Sequence, residues 1–322
     1  MILARAPLRI CLGGGGTDLP FYCLEHTGYL LTSAIDKYIY LSLSPSLSGK
    51  TSLRHEEIED VASVEDLSHG IVRETLKYFG VKDALNITIS SSVPSGTGMG
   101  SSSTLTVALI KALLQHKNQQ HKYGAYDIAQ TAYHIERVIL GEEGGKQDQF
   151  ISSYGGIIEM ILEKDGSVKI NTLNLPKKTL SKMESNLALF YLGSSRKSSD
   201  IQVQVSKEAK IKHLHDIKRL GQELKDSLVK GHVDDLGNNW HEHWLAKKQL
   251  TKSISTSEID HHYDFGLKNG ALGGKLIGAG GGGFLIFYTK DKEKLIALME
   301  RKGLKYLKFS FSPAGAEIFY KD

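Results

Sequence analysis

Glycine clustering constrains this chain more than any other feature of its sequence. The 322 residues include 33 glycines, and many of them fall in three short segments, residues 13–16, 96–100 and 278–283. Glycine adopts positive φ angles without steric cost and allows another backbone to approach closely. Three such segments in one chain predict that backbone loops come close to neighbouring loops or to a bound ligand.

The central segment has the pattern of a phosphate-binding loop. Residues 93–104 read VPSGTGMGSSST and lie between a predicted strand, Leu85–Ile89, and a predicted helix, Ser101–His116. Glycines let backbone N–H groups converge, and serines cap a helix whose N-terminal dipole favours an anion. No lysine lies in the segment, so it differs from a Walker A loop. A strand-to-helix turn with a serine cap is the alternative interpretation, although three glycines and four consecutive hydroxyl residues exceed what a cap requires.

The third segment contains the spacing G-x-G-x-x-G from Gly278 to Gly283. A dinucleotide-binding fingerprint requires a helix after this turn. Here a predicted strand, Phe284–Tyr288, follows instead, so we reject a nicotinamide site. We expect these glycines to permit the close approach of a neighbouring loop or a ligand.

The first segment precedes a threonine and an aspartate, Thr17 and Asp18. The Asp18 carboxylate offers acceptors for sugar-like hydroxyl groups. A surface β-turn with an aspartate cap is the alternative interpretation, and the residues alone do not decide between the two.

Two histidine pairs, His241 with His243 and the adjacent residues 261–262, raise the question of a zinc site. Residues two apart point to different faces of a helix, and no cysteine or third ligand is nearby. We therefore expect these histidines to have a surface or core role.

Composition excludes several classes of protein. The net charge of +4 is too small to indicate a nucleic-acid partner, and a hydrophobic content of 40% excludes a disordered chain. No apolar run approaches the ~20 residues that cross a bilayer, and Arg5 and Arg9 interrupt the N-terminal apolar stretch, so we expect neither a membrane segment nor a signal peptide. Two cysteines cannot form a disulfide scaffold or a thiolate metal site, and we expect a cytoplasmic protein.

Strands and helices are mixed without a regular βαβα alternation, which predicts an α+β fold. One predicted helix spans Tyr126–Leu140, where apolar residues recur at helical spacing. A polar stretch around residues 165–185 favours a division of the chain into two domains, residues 1–175 and 176–322.

Taken together and in this order, the three segments resemble the motifs of the GHMP kinases, the family of the galacto-, homoserine, mevalonate and phosphomevalonate kinases. Pro94–Thr104 looks like the phosphate loop of the family, Pro-x-x-x-Gly-Leu-x-Ser-Ser, with Met99 where leucine is usual. The resemblance extends from Arg5 to Phe287. It implies a two-domain GHMP kinase fold, in which an N-terminal domain with a left-handed βαβ unit and a C-terminal ferredoxin-like domain enclose the active site.

The same resemblance implies which residues carry the chemistry. Asp148, in the segment GGKQDQ, falls at the catalytic aspartate, and Arg9 falls at a cation beside it. Glu136 and Ser102 fall at ligands of Mg²⁺. Taken without the resemblance, three of these residues have ordinary alternatives. Glu136 is then a solvated residue on a helix face, Asp148 a helix cap and Arg9 a surface residue on an edge strand.

Two binding surfaces follow from the resemblance. The ATP-binding loop comprises Pro94, Ser95, Gly96, Thr97, Gly98, Met99, Gly100, Ser101 and Ser102. The acceptor surface comprises Gly15, Gly16, Thr17, Asp18, Arg196, Lys275 and Gly280.

Within the family, the segments GGGGTDLP and GGKLIGAGGGGF look most like those of heptose 7-phosphate kinases, and fucokinases share part of this signature. This resemblance implies a small-molecule acceptor, a sugar phosphate, whose anomeric hydroxyl is phosphorylated by ATP with Mg²⁺. Arg196 and Lys275 are alternative receivers for the phosphate that the acceptor already carries. A kinase for another sugar such as fucose and a non-catalytic sugar or nucleotide sensor are the alternatives. The oligomeric state is open, with a homodimer as one option.

Overall fold

Two β-sheets organise residues 1–193 and 211–322, the part of the chain that this computed structural model describes. In chain order the strands are β1 (Ile2–Gly13), β2 (Gly28–Pro45), β3 (Thr51–Arg54), β4 (Ile58–Val61), β5 (Leu85–Ser91), β6 (Ile157–Leu162), β7 (Val168–Thr172), β8 (Leu187–Tyr191), β9 (Ala271–Leu276), β10 (Phe284–Thr289), β11 (Lys305–Tyr306) and β12 (Glu317–Lys321).

Helices cover these sheets. They are α1 (Pro20–His26), α2 (Gly70–Tyr78), α3 (Ser101–His116), α4 (Ala125–Tyr133), α5 (Gln147–Tyr154), α6 (Lys177–Asn186), α7 (Ile211–Val229), α8 (Asp235–Lys248), α9 (Ser257–Lys268) and α10 (Lys292–Arg301). A π-helical segment, His134–Ile139, follows α4 directly, and 3₁₀ turns lie at Val64–Asp66, Gln120–Lys122 and Lys252–Ile254. None of the helices in the described parts of the chain has the length and apolar composition needed to span a membrane.

The larger sheet is built around the long strand β2. Residues 39–45 of β2 pair with β5 and residues 28–33 pair with β6, while β1 runs antiparallel to β2 on its other side. β3 and β5 are parallel, and the connection between them passes through β4 and α2, which makes a βαβ unit. β1 lies between β12 and β2, so the strand that carries Arg9 is an inner strand of the sheet rather than an edge strand, and the helices α3 and α5 pack on it.

The smaller sheet has the ferredoxin-like arrangement that the resemblance implied. Its strands are all antiparallel and lie in the order β11-β8-β10-β9. In the chain they follow the pattern β-α-β-β-α-β, because α7, α8 and α9 lie between β8 and β9 and α10 lies between β10 and β11. This is the split βαβ motif.

The last strand returns to the larger sheet. β12 pairs antiparallel with β1, from Ile2 opposite Lys321 to Arg5 opposite Glu317. The predicted domain division after residue 175 falls between β7 and α6 and remains a prediction. The pairing of β12 with β1 places residues 317–321 in the larger sheet, together with strands from the first half of the chain.

Helix α3 confirms one prediction from sequence in full, because it begins at Ser101 and ends at His116 as expected. The helix predicted at Tyr126–Leu140 is instead the α-helix α4 followed by the π-helical segment. π-Helical turns inside a helix often occur at functional sites, and this one carries Glu136.

Candidate active site

The loop between β5 and α3 exposes a row of backbone amides. Gly96, Gly98 and Gly100 all have positive φ angles, 70°, 77° and 81°, which residues with a Cβ rarely adopt. The N–H groups of residues 95–100 donate no hydrogen bond to the described residues. Because α3 begins immediately after this loop, its N-terminal amides add to the same positive field.

A cleft of about 1530 Å³ opens beside this loop. Of the nine predicted loop residues, Thr97 and Met99 are fully buried beneath the loop. The other seven line the cleft: Pro94, Ser95, Gly96, Gly98, Gly100, Ser101 and Ser102. The volume exceeds the about 300–1,000 Å³ of most small-molecule sites, so the cleft has room for a nucleotide and a second substrate.

The third glycine segment packs backbone to backbone against the loop. A Cβ built on Gly278 would lie 2.4 Å from the Cα of Gly98, and one on Gly283 would lie 2.3 Å from the carbonyl oxygen of Thr97. A side chain at either position would therefore push the two loops apart. This contact confirms the prediction that the third segment permits the close approach of a neighbouring loop.

Arg9 and Asp148 form a bidentate ion pair at the loop. The Nε of Arg9 donates to Oδ1 of Asp148 at 2.7 Å and its Nη2 donates to Oδ2 at 3.2 Å. Its Nη1 donates to the carbonyl of Gly98. Burial opposes the charge of Arg9, but the adjacent carboxylate outweighs it and raises the pKa of Arg9 above its ordinary value. The alternative of a surface arginine is wrong, because Arg9 is only 6% exposed.

Asp18 lies close to this pair and lines the cleft. Its Oδ2 accepts a hydrogen bond from the backbone N–H of Gln147 at 3.1 Å. A Cβ on Gly145 would come within 1.9 Å of the same oxygen, so a side chain at this position would displace the Asp18 carboxylate. Burial raises the pKa of Asp18, the hydrogen bond from Gln147 opposes this shift, and the charge of Asp148 adds to it.

Glu136 is fully buried beneath the N-terminus of α3, so the alternative of a solvated helix-face residue is wrong. Its Oε2 accepts hydrogen bonds from Ser103 Oγ at 2.6 Å and from Gln149 Nε2 at 2.9 Å. Its Oε1 is buried and has no partner among the described residues. Burial raises the pKa of Glu136, and the nearby Arg137 opposes this shift. Ser102 is exposed in the cleft.

Only some of the residues predicted to bind the acceptor line the cleft. Gly15, Gly16 and Lys275 line the cleft. Thr17 is fully buried, and its hydroxyl lies within hydrogen-bond distance of the carbonyls of Gly14 and Tyr29, to which it can donate its one proton. Gly280 instead abuts the backbone of Ile254, and Arg196 lies outside the described residues.

Sequence reasoning missed Lys247 of α8, and it considered His243 only as a zinc ligand and expected a surface or core role. Both side chains line the cleft, and His243 is buried. The charged helical pattern of this region does not by itself identify the side chains that face inward. One signal was available: residues four apart lie on the same face of a helix, so a lysine four positions after a histidine places two basic groups together.

Family models match both halves of the chain. The model described as GHMP kinases N terminal domain matches residues 66–156, and the one described as GHMP kinases C terminal matches residues 214–301. Together these matches cover more than half of the chain, and they agree with the two sheets described above.

Individual relatives match over nearly the full length. A D-glycero-alpha-D-manno-heptose 7-phosphate kinase of Campylobacter jejuni is 32% identical, with 98% of each chain covered. The bifunctional fucokinase/GDP-fucose pyrophosphorylase of Arabidopsis thaliana is 27% identical over 92% of this chain, which spans only 30% of that protein.

Solved structures are also similar to this chain over nearly its full length. A D-glycero-D-manno-heptose 1-phosphate kinase from Bacteroides thetaiotaomicron superposes with a TM-score of 0.84 at 25% identity, with 100% of both chains covered. A putative sugar kinase from Campylobacter jejuni superposes with a TM-score of 0.80 at 31% identity, covering 99% of this chain and 98% of that one. The family and two-domain fold predicted from sequence are confirmed, and a kinase is favoured over a non-catalytic sensor. The agreement of sequence and structure along the whole length means that this chain belongs to the GHMP kinases, whose phosphoryl donor is ATP.

Proposed function

We propose that this kinase phosphorylates the anomeric hydroxyl of D-glycero-D-manno-heptose 7-phosphate and produces the 1,7-bisphosphate. The observation that carries the kinase chemistry is the Arg9–Asp148 pair beside the loop of free amides. The choice of acceptor is supported by the 32% identity to a heptose 7-phosphate kinase over 98% of the chain.

In this proposal each group has one task. The amides of residues 95–102 bind the phosphates of ATP. Asp148 accepts the proton of the attacking hydroxyl, and Arg9 orients that carboxylate and stabilises the charge on the transferred phosphoryl group. Phosphoryl transfer has a loose transition state, so alignment and charge stabilisation supply most of the catalysis.

Glu136 and Ser102 are the proposed ligands of Mg²⁺. The residues fit this ion, because Mg²⁺ prefers oxygen ligands and commonly binds one or two protein oxygens with phosphates and water. The unpartnered, buried Oε1 of Glu136 is the observation that supports a cation there. Bound Mg²⁺ would neutralise charge on the ATP phosphates. Ser103 and Gln149 would orient Glu136 through their hydrogen bonds to its other oxygen.

The proposed sugar surface centres on Asp18. Its carboxylate accepts hydrogen bonds from the sugar hydroxyls, and Gly15 and Gly16 let the sugar approach the backbone. Thr17 and Gly280 support this surface indirectly, because the Thr17 hydroxyl holds the turn and Gly280 allows contact with Ile254.

A panel assay tests the proposal. The purified chain, ATP and Mg²⁺ are incubated separately with heptose 7-phosphate, heptose 1-phosphate, fucose, galactose and mevalonate, and the phosphorylated position is read by NMR. We expect the highest kcat/KM for heptose 7-phosphate, with the new phosphate at C1. Preference for any other member of the panel would contradict the proposal.

Heptose 1-phosphate is the second candidate acceptor, because the structural neighbour with a TM-score of 0.84 is described as a heptose 1-phosphate kinase. A product that carries its new phosphate at C7 would support this reading. Preference for free fucose would instead support the fucokinase alternative.

A further inference from the structure

Three basic side chains meet in the cleft at the join of α8 and β9. His243 and Lys247 are four residues apart on α8 and share a face of that helix. Lys275 lies on β9, against which α8 packs. The Nζ of Lys247 donates to the carbonyl of Leu276 at 3.2 Å, which ties the two elements together at this point.

His243 is a buried polar side chain whose ring nitrogens the described residues leave free to bind a ligand. It is 2% exposed, it lines the cleft, and neither ring nitrogen has a hydrogen-bond partner among the described residues. Buried polar atoms nearly always have such a partner. Burial, together with the charges of Lys275 and Lys247, lowers the pKa of His243 well below its ordinary value. Burial thus favours the neutral ring, which has one N–H to donate.

The two lysines lack a negative partner. Within the described residues, no carboxylate lies within 4.0 Å of either ammonium group. Their hydrogen bonds go to backbone carbonyls instead, two from Lys247 and one from Lys275. Since an ammonium group has three protons, each lysine keeps at least one for a ligand.

The cluster contacts both sides of the cleft, because Lys247 donates to the carbonyl of Gly278, which abuts Gly98 of the phosphate loop. Lys275 donates to the carbonyl of Leu12 at 2.7 Å, and Leu12 directly precedes the first glycine segment on the proposed sugar side. The ATP phosphates already have the amides of residues 95–100 as donors. Arg9 is held by Asp148 and Gly98 beside the phosphate loop, where its proposed task is to stabilise the transferred phosphoryl group.

We propose that His243, Lys247 and Lys275 bind the phosphate group that the acceptor sugar already carries. This inference rests on the proposed function, since it requires a phosphorylated acceptor. It places the receiver of that phosphate on α8 and β9. Two ammonium groups and one imidazole N–H supply charge-assisted and neutral hydrogen bonds to the phosphate oxygens.

The test compares Lys247→Met and Lys275→Met with the control Lys248→Met, the next residue of the same helix, whose ammonium pairs with Asp260 at 3.0 Å. KM is measured for heptose 7-phosphate, for the same heptose without phosphate, and for ATP. We expect each cluster variant to raise KM for heptose 7-phosphate by about tenfold or more, as for the loss of one charge-assisted hydrogen bond. KM for ATP and kcat/KM for the free heptose should change little.

Further outcomes decide the inference. An unchanged KM for heptose 7-phosphate in both variants would overturn it while leaving the proposed function intact. An equal rise in KM for ATP would overturn it in favour of a site for the nucleotide phosphates. His243→Gln keeps an N–H donor, so it should raise the KM for heptose 7-phosphate less than the methionine variants do. This variant tests the inference if either methionine variant fails to fold.

A binding measurement keeps the inference testable if the wild type phosphorylates no heptose phosphate. Inorganic phosphate is titrated calorimetrically into the wild type and the double variant Lys247→Met/Lys275→Met, both saturated with a non-hydrolysable ATP analogue. Binding by the wild type and its loss in the double variant would support the phosphate site even though the proposed acceptor had failed. Equal binding by both proteins would overturn it.

Discussion

The Arg9–Asp148 pair combines a buried cation with a carboxylate that still reaches the cleft. The side chain of Arg9 is 7% exposed and that of Asp148 is 24% exposed. Because the guanidinium contacts both carboxylate oxygens and the Gly98 carbonyl, it fixes the direction of the carboxylate. In the proposed reaction, the exposed edge of Asp148 is the part of the carboxylate that takes the proton of the acceptor hydroxyl.

We expect Asp148→Asn to lower kcat by at least about 10²-fold, the usual contribution of a positioned general base. Asparagine has nearly the same shape but cannot take the proton, so the dissociation constant of an ATP analogue should change little. Steady-state kinetics and calorimetric titration measure the two quantities. Asp165→Asn, in an exposed turn, is the control. Similar kcat values for the two variants would exclude Asp148 as the base.

Candidate site residues within a sequence motif could be predicted, and those outside any motif could not. Arg9 and Asp148, which line the cleft, and the buried Glu136 could be singled out because each lies in a segment that resembles a family motif, and their roles remain predictions. Lys247 has a lysine beside it at Lys248, and periodicity alone does not say which of the two faces a cleft formed by other elements. That choice depends on how α8 packs on β9, which is a tertiary property.

At the scale of elements, the glycine segments allow two loops to touch through their backbones. The loop before α3 and the turn between β9 and β10 meet where Gly98 faces Gly278. This contact joins an element of the larger sheet to one of the smaller sheet. The phosphate loop therefore depends on the second half of the chain for its shape.

We expect Gly278→Ala to weaken binding of an ATP analogue and to lower the melting temperature, because the new Cβ would collide with the Cα of Gly98. Overpacking of this kind costs typically about 1–3 kcal/mol. Gly80→Ala is the matched control, since Gly80 also has a positive φ, 57°, but has nothing within 4 Å of the added Cβ. Calorimetric titration should show reduced affinity in Gly278→Ala alone. Equal affinity in the two variants would show that the loop contact does not shape the site.

Elements with a regular pattern were predicted best. α3 has a continuous apolar stripe and a serine start, so its bounds matched. β1 entered the sequence analysis only as the edge strand of the alternative for Arg9, because Arg5, Pro7 and Arg9 interrupt its apolar run. Pro7 is tolerated there because the pairing of β1 with β2 shifts register between Pro7 and Arg9. The charge of Arg9 is tolerated because Asp148 comes to it from α5, 139 residues further along the chain.

At the scale of the whole molecule, the site is assembled from distant parts of the chain. The order of the two halves followed from the order of the motifs, and the ferredoxin-like half is as expected. The return of β12 to pair with β1 was not predictable, because a short C-terminal strand does not specify its partner. The same limit applies to the basic cluster, which exists only once α8 has packed on β9.

We expect the two lysines of this cluster to make the stability of the whole molecule depend on pH. Burial, with the charge of Lys275 adding to it, lowers the pKa of Lys247 to about 7. Burial lowers the pKa of Lys275 to about 8. In the unfolded chain both lysines titrate near the ordinary value of about 10.4. Between these values the unfolded chain binds protons that the folded chain does not, so the free energy of unfolding rises with pH across this range.

We therefore expect the double variant Lys247→Met/Lys275→Met to melt above the wild type at about pH 6.5, and the difference to shrink as the pH is raised to about 9. Inorganic phosphate at the lower pH should also reduce the difference in melting temperature between the double variant and the wild type, because a ligand of the folded state stabilises only the protein that binds it. The Lys248→Met control should differ from the wild type by the same amount at both pH values, since its ammonium already pairs with Asp260. Thermal melts across this range measure all three effects. If the gap between the wild type and the double variant were constant with pH, the two lysines would not be carrying an unbalanced charge.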